Sequence, residues 1–180
     1  MRWQSIATRM LATCALLGRG IAAEPASSQW QLESKDAAPP AALTLTLRAQ
    51  TEVKGWMRSG RPLLTIQCRQ GTAAAYVETG VALEVTQVDQ QVVRVRLDNS
   101  EFRSERWREV GNWTISARHA DRLIEQLLRA RSFTLEFTPF SSTPVQADFA
   151  VQGLEQYGEQ LATFCGVRTP AKNVSKKSAG

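Results

Sequence analysis

Residues 64–77 read LTIQCRQGTAAAYV, and this stretch decides the fold. Leu64, Ile66 and Cys68 fall on one face of an extended chain and Thr65 and Gln67 on the other, because successive side chains of a strand point to opposite faces. Gly71 and Thr72 suit a hairpin turn, after which Ala73, Ala75, Val77, Val81 and Leu83 resume a period of two. The expectation is an antiparallel strand pair with Cys68 directed into a core.

On the N-terminal side, Leu43, Leu45, Leu47 and Ala49 alternate with Thr44, Thr46, Arg48 and Gln50, the pattern of a half-buried strand. Ser59, Gly60 and Pro62 mark the turn that follows it. Further upstream, Trp30 and Leu32 are the expected anchor of a short first strand. On the C-terminal side, Val93, Val95 and Leu97 form the inner face of another strand, with Arg94, Arg96 and Asp98 on its outer face. Leu123, Ile124, Leu127 and Leu128 recur at helical spacing, with Asp121 near the start and Arg129 and Arg131 at the end, as the helix dipole favours.

Phe133, Leu135 and Phe137 predict a strand, and Val145, Ala147, Phe149 and Val151 predict another after the loop from Ser141 to Pro144. Leu154, Tyr157, Leu161 and Phe164 predict a second amphipathic helix carrying Cys165 in its last turn. The fold class expected is α+β: an antiparallel β-sheet of about six to seven strands packed with two short helices and holding one disulfide. Between the strand at 93–97 and the first helix, Glu101, Glu105 and Glu109 alternate with Arg103, Arg106 and Arg108, which reads as a solvated charged loop.

The ends read differently from the body. Arg2 and Arg9 precede the apolar run from Met10 to Leu17, and mostly small residues occupy 20–23, so residues 1–23 read as a secretory signal peptide and the destination as the periplasm. Residues 24–40 read as a linker with the first short strand, 41–167 as a single α+β domain and 168–180 as a basic flexible tail. With 180 residues and 43% hydrophobic content, one core is expected. No stretch approaches the roughly 20 apolar residues of a membrane helix, so no membrane span is expected.

Signal cleavage removes Cys14 and leaves Cys68 and Cys165, which in an oxidising compartment are expected to form a disulfide. Closing a loop of roughly 100 residues stabilises a fold by roughly 4–5 kcal/mol in the chain-entropy picture. A metal site or a catalytic thiol would want a histidine nearby, and none stands near either cysteine.

The pI of 9.5 raises a nucleic-acid reading, but the charge is unevenly placed. Setting aside the three signal arginines and the four basic residues from Arg168 onward leaves 15 basic residues against 16 acidic ones between Trp30 and Gly166. A near-neutral body lacks the electrostatic footprint that binding a phosphate backbone requires, so no nucleic acid is expected as a partner.

Acid-base or nucleophilic catalysis needs convergent titratable groups, and the chain has one histidine. His119, with Ser116 and Asp121 close in sequence, reads better as a capping or exposed residue at a helix start than as part of a triad. The glutamates at 101, 105 and 109 are no better as glycosidase carboxylates, being interleaved with arginine. No catalytic residue, metal or cofactor is expected, and the chain reads as a non-enzyme. Nine arginines against six acids lie between Arg94 and Arg131, with Trp107 and Trp113 among them. Arginine and aromatic side chains dominate contact surfaces, which makes Arg94, Arg96, Arg103, Arg106, Trp107 and Arg108 the candidate interaction patch. The competing reading places the tryptophans in the core and the arginines outside.

The strand with Arg96 and Asp98, followed by Trp107, resembles the type VI secretion-associated VasI/TagO family. Phe149, Gly153, Leu154, Leu161 and Cys165 resemble that family's closing pattern, in which a strand phenylalanine leads through Gly-Leu into a helix ending at cysteine. Leu64, Ile66 and Cys68 resemble the approach to its first cysteine, so the resemblance spans 43–165. The chain departs from the pattern where Gly166 and Val167 stand in place of an aromatic residue, and where Asp36 alone replaces doubled acids. The resemblance implies a periplasmic accessory or adaptor protein acting through protein-protein or envelope contacts, with an envelope or secretion-apparatus protein, or peptidoglycan, as partner. The alternative is a periplasmic inhibitor or immunity protein that neutralises an envelope-targeting enzyme, and a weaker third idea is a carboxylate-based envelope hydrolase.

Overall fold

Apolar residues that alternate must bury one face of a sheet, and the computed structural model, which describes residues 29–33, 42–84, 86 and 88–169, shows that sheet. The expected signal peptide, most of the expected linker and the tail from 170 onward lie outside the described residues.

The strands are β1 (Gln31–Glu33), β2 (Ala42–Arg48), β3 (Val53–Lys54), β4 (Ser59–Gly60), β5 (Leu63–Arg69), β6 (Thr72–Glu78), β7 (Gln90–Leu97), β8 (Arg103–Glu109), β9 (Thr114–Ser116), β10 (Phe133–Phe137) and β11 (Val145–Phe149). Helix α1 (Ala120–Leu127) lies between β9 and β10, and a 3-10 turn at Leu154–Tyr157 leads into α2 (Gly158–Cys165). Among the described residues, nine strands join one antiparallel sheet in the order β1-β2-β5-β6-β9-β8-β7-β10-β11, while β3 and β4 pair separately.

The sheet corrects the expected six to seven strands to nine. The two additions are β8 and β9, which fall in and just after the segment read as a charged loop. β8 pairs with β7 over Gln90↔Arg108 through Val95↔Arg103, and Arg108↔Ser116 continues the ladder into β9. Backbone hydrogen bonding makes a strand of a segment whose one fully buried side chain is Trp107. The strand expected over 73–83 ends at Glu78, although Val81 and Leu83 remain buried beyond it.

The β5–β6 hairpin turns through Gln70 and Gly71, whose φ values of 50° and 75° are those of a two-residue primed turn. The cross-strand pairs Leu43↔Cys68, Leu45↔Ile66 and Leu47↔Leu64 confirm the shared apolar face. That face belongs to one continuous cluster with Trp107, Ile115, Phe133, Leu135, Phe137 and Phe149, each at most 1% exposed.

The sheet also curls until its ends meet. The backbone N–H of Gln50, just after β2, donates to the Asp148 carbonyl in β11 (2.7 Å), and the Asp148 N–H donates to the Thr51 hydroxyl (2.9 Å). Curling shields the edge β11 would otherwise present and encloses the core.

Helix α1 packs on β6, and α2 packs on β5, β2 and β6. Cys68 and Cys165 form the expected disulfide, with Cα atoms 4.9 Å apart. The bond ties α2 to the sheet, and the Gly71 N–H donating to the Phe164 carbonyl (3.2 Å) adds a second tie at the hairpin turn. Gly166 closes α2 by donating its N–H to the Ala162 carbonyl (3.0 Å), and Val167 packs into the core at 4% exposure.

Candidate functional site

The outer face of β7 carries Arg94 and Arg96, and the local sequence engages both. Their guanidinium carbons lie 4.7 and 4.5 Å from the centre of the Phe102 ring, so the two cations share a single aromatic. Arg94 also pairs with Glu136 on the adjacent β10 at 2.9 Å, and Glu136 accepts in turn from the Gln146 amide at 2.9 Å. Arg96 reaches the Thr134 hydroxyl at 3.5 Å, and that hydroxyl donates to Asp148 at 2.7 Å. These two members of the expected patch are bound into a network across β7, β10 and β11.

Trp107 requires a correction. Its position on β8 points into the core, it is 1% exposed, and its indole N–H donates to the Glu105 carboxylate at 2.9 Å. The indole is a core side chain with a satisfied polar tip, which removes it from any contact surface.

Arg103, Arg106 and Arg108 are exposed along β8. The carboxylates beside them on the same strand are already engaged: Glu105 accepts from Trp107, and Glu109 accepts from the Gln91 side-chain amide. A groove of about 490 Å³ opens between this strand and α1. It is lined by Val92 of β7, Arg103, Ser104, Glu105 and Arg106 of β8, Arg118 and His119 before α1, and Arg122, Leu123 and Gln126 on the helix. Arg103 is steered into place by the Gln126 side-chain oxygen at 3.2 Å and stands 3.9 Å from Glu105.

A second groove of about 400 Å³ adjoins the first, lined by residues 88–90, Arg106, Arg108, Ser116, Ala117 and Arg118. Arg106 and Arg118 line both grooves. Among the described residues, Arg106, Arg108, Arg118 and Arg122 form no ion pair. Together with Arg103 they make a strip of guanidinium groups with two carboxylates, Glu105 and Asp89, along it.

His119 is exposed and precedes α1, where its carbonyl accepts from the Leu123 N–H at 3.0 Å; its side chain makes no capping hydrogen bond. Among the described residues, no hydrogen bond joins it to Ser116 or Asp121, and Ser116 instead directs its hydroxyl toward the Ala75 carbonyl at 3.5 Å. No group of three or more His, Cys, Asp or Glu among the described residues is placed to hold a metal ion. No described helix is long and apolar enough to cross a membrane.

Sequence reading missed Arg118 and Arg122 as partners of the β8 arginines. Their i, i+4 spacing at a helix start was the available signal, because residues so spaced share a face. The exposed apolar group of Trp56, Met57 and Phe140 was also missed; Trp56 and Phe140 meet edge to face with ring centres 6.2 Å apart. No protein-family model matches the chain, and no significant match to a curated protein or a solved structure was found.

Proposed function

We propose that this chain is an exported accessory or adaptor protein that works by binding, as its resemblance to the type VI secretion-associated VasI/TagO family implies. One observation carries the reading: Arg106 and Arg108 of β8, Arg118 before α1 and Arg122 on it are exposed, form no ion pair among the described residues, and converge on two adjoining grooves. Guanidinium groups left unpaired at a surface are poised for anionic groups on a partner, since their planar forks match carboxylate and phosphate oxygens. The disulfide supports an oxidising compartment such as the periplasm, where such bonds persist. The lone histidine, which has no hydrogen bond to an acid or nucleophile among the described residues, supports binding over acid-base chemistry.

The test is crosslinking in the periplasm followed by capture of the full chain. The adaptor reading expects envelope or secretion-apparatus components to be recovered with the wild type and lost when Arg103, Arg106 and Arg108 are all replaced by Gln. Recovery of the same components with the triple variant removes the assigned surface. Recovery of a single hydrolytic enzyme, inhibited on binding, replaces the adaptor with an inhibitor.

A further inference from the structure

Building on that reading of the arginine face, we infer that the two grooves form one elongated site for a ligand bearing at least two phosphate groups. Arg106, which pairs across the ladder with Val92, and Arg118, just before α1, line both grooves, so a ligand bound in one meets cations it shares with the other. A single small ion would occupy one groove and leave Arg108 or Arg122 unused.

The larger groove presents four guanidinium groups against the Glu105 carboxylate, an excess of three positive charges. A carboxylate ligand would have to bring three separate groups into about 490 Å³, whereas a phosphate monoester carries about −1.5 to −2 charge, so two suffice. Every cation on the strip is arginine, whose fork engages two phosphate oxygens at once, while lysine acts as a point charge. Arg103 is held in place by Gln126, which lowers the side-chain entropy lost when a ligand binds. A phosphate-bearing lipid headgroup and a free polyphosphate offer this same chemistry.

Calorimetric titration of the oxidised mature chain tests the inference, with tripolyphosphate, orthophosphate and citrate as probes. Tripolyphosphate is expected to bind at least 10-fold more tightly than either of the others, and to weaken as salt is raised. Arg106→Gln with Arg118→Gln is expected to weaken tripolyphosphate at least 10-fold with the melting temperature unchanged, because neither side chain forms an ion pair among the described residues. Arg48→Gln with Arg61→Gln, residues that line neither groove, is the control and should leave binding unchanged. Equal binding of tripolyphosphate and orthophosphate, tighter binding of citrate, or equal losses in the two double variants overturns the inference.

Sedimentation with vesicles of phosphatidylglycerol against phosphatidylcholine separates the sources, since selective binding that the Arg106 and Arg118 changes abolish assigns the phosphates to a lipid surface. Tripolyphosphate binding without vesicle binding assigns them to a soluble chain. If no phosphate probe binds while periplasmic capture still depends on the β8 arginines, the phosphate assignment falls and the adaptor reading stands.

Discussion

The Trp30 indole N–H donates to the Val151 carbonyl at 3.0 Å, a buried hydrogen bond joining residues 121 positions apart. It fastens the chain just before β1 to the segment just after β11, where the curled sheet closes. Trp30→Phe keeps most of the apolar volume and removes the donor, leaving a buried carbonyl unsatisfied, so it should cost about 1–3 kcal/mol. Trp30→Ala adds a cavity and should cost about 3–5 kcal/mol. Urea unfolding checks both, and equal stability of the Phe variant and wild type would show that the bond contributes nothing to closure.

The Cys68–Cys165 bond should contribute about 2–5 kcal/mol, because it closes a long loop and α2 is otherwise held by few elements. Comparing the oxidised chain with a Cys68→Ala, Cys165→Ala variant in denaturant measures this directly. The reduced chain should show faster amide exchange in α2 than in β5 or β6, since the helix loses its covalent tie while the strands keep their ladders. Uniform acceleration across helix and strands would mean that the bond stabilises the whole fold and not this one attachment.

Strands with apolar alternation were legible in the sequence: Leu43 to Leu47, Leu64 to Cys68 and Phe133 to Phe137 each show one inward row. β8 was not, because its inward row includes Glu105 and Glu109, tolerated only where Trp107 and Gln91 satisfy them. Those pairings exist after folding and leave no periodic trace. The short β9 has one buried side chain, Ile115, too few to show a period. For the site, the run of arginines on β8 was visible, but its division was not. Arg94 and Arg96 are captured by Phe102 and Glu136, while the others meet Arg118 and Arg122 only because α1 stands beside β8.

Asp98, one of the residues carrying the family resemblance, links the end of β7 to the start of β10. Its carboxylate accepts from the Ser132 N–H (2.9 Å) and the Arg131 N–H (2.8 Å), which hold its pKa below the ordinary aspartate value. A depressed folded pKa means that the ionised form is favoured in the native state. The stabilisation is therefore present above the unfolded pKa, near 3.9, and is lost as pH falls through the folded value, from roughly pH 4 downward. Asp98→Asn keeps an acceptor oxygen and tolerates the φ of 49°, but loses the charge. The wild type should exceed this variant in stability at pH 7 by a small margin, since the carboxylate is largely solvated, and the gap should close in acid. A gap independent of pH in urea titrations would remove the charge from the account.

Two backbones come into contact where Gly60 faces Gly80. A Cβ at Gly60, at the end of the β3–β4 hairpin, would lie 2.7 Å from the Gly80 carbonyl oxygen and 3.1 Å from the Gly80 carbonyl carbon. Because the obstruction is main chain, no rotamer change relieves it, and Gly60→Ala should cost about 1–3 kcal/mol by forcing the hairpin away from the end of β6. Gly71→Ala makes the useful comparison: its Cβ would meet nothing within 4 Å, but its φ of 75° is left-handed, a strain of about 1–2 kcal/mol. Asparagine relieves much of that strain, so Gly71→Asn should recover most of the loss. Gly60→Asn should recover none, because the clash depends on the Cβ atom and not on backbone preference. Melting temperatures of the four variants separate the two mechanisms, and rescue at Gly60 by asparagine would refute close packing as the reason for glycine there.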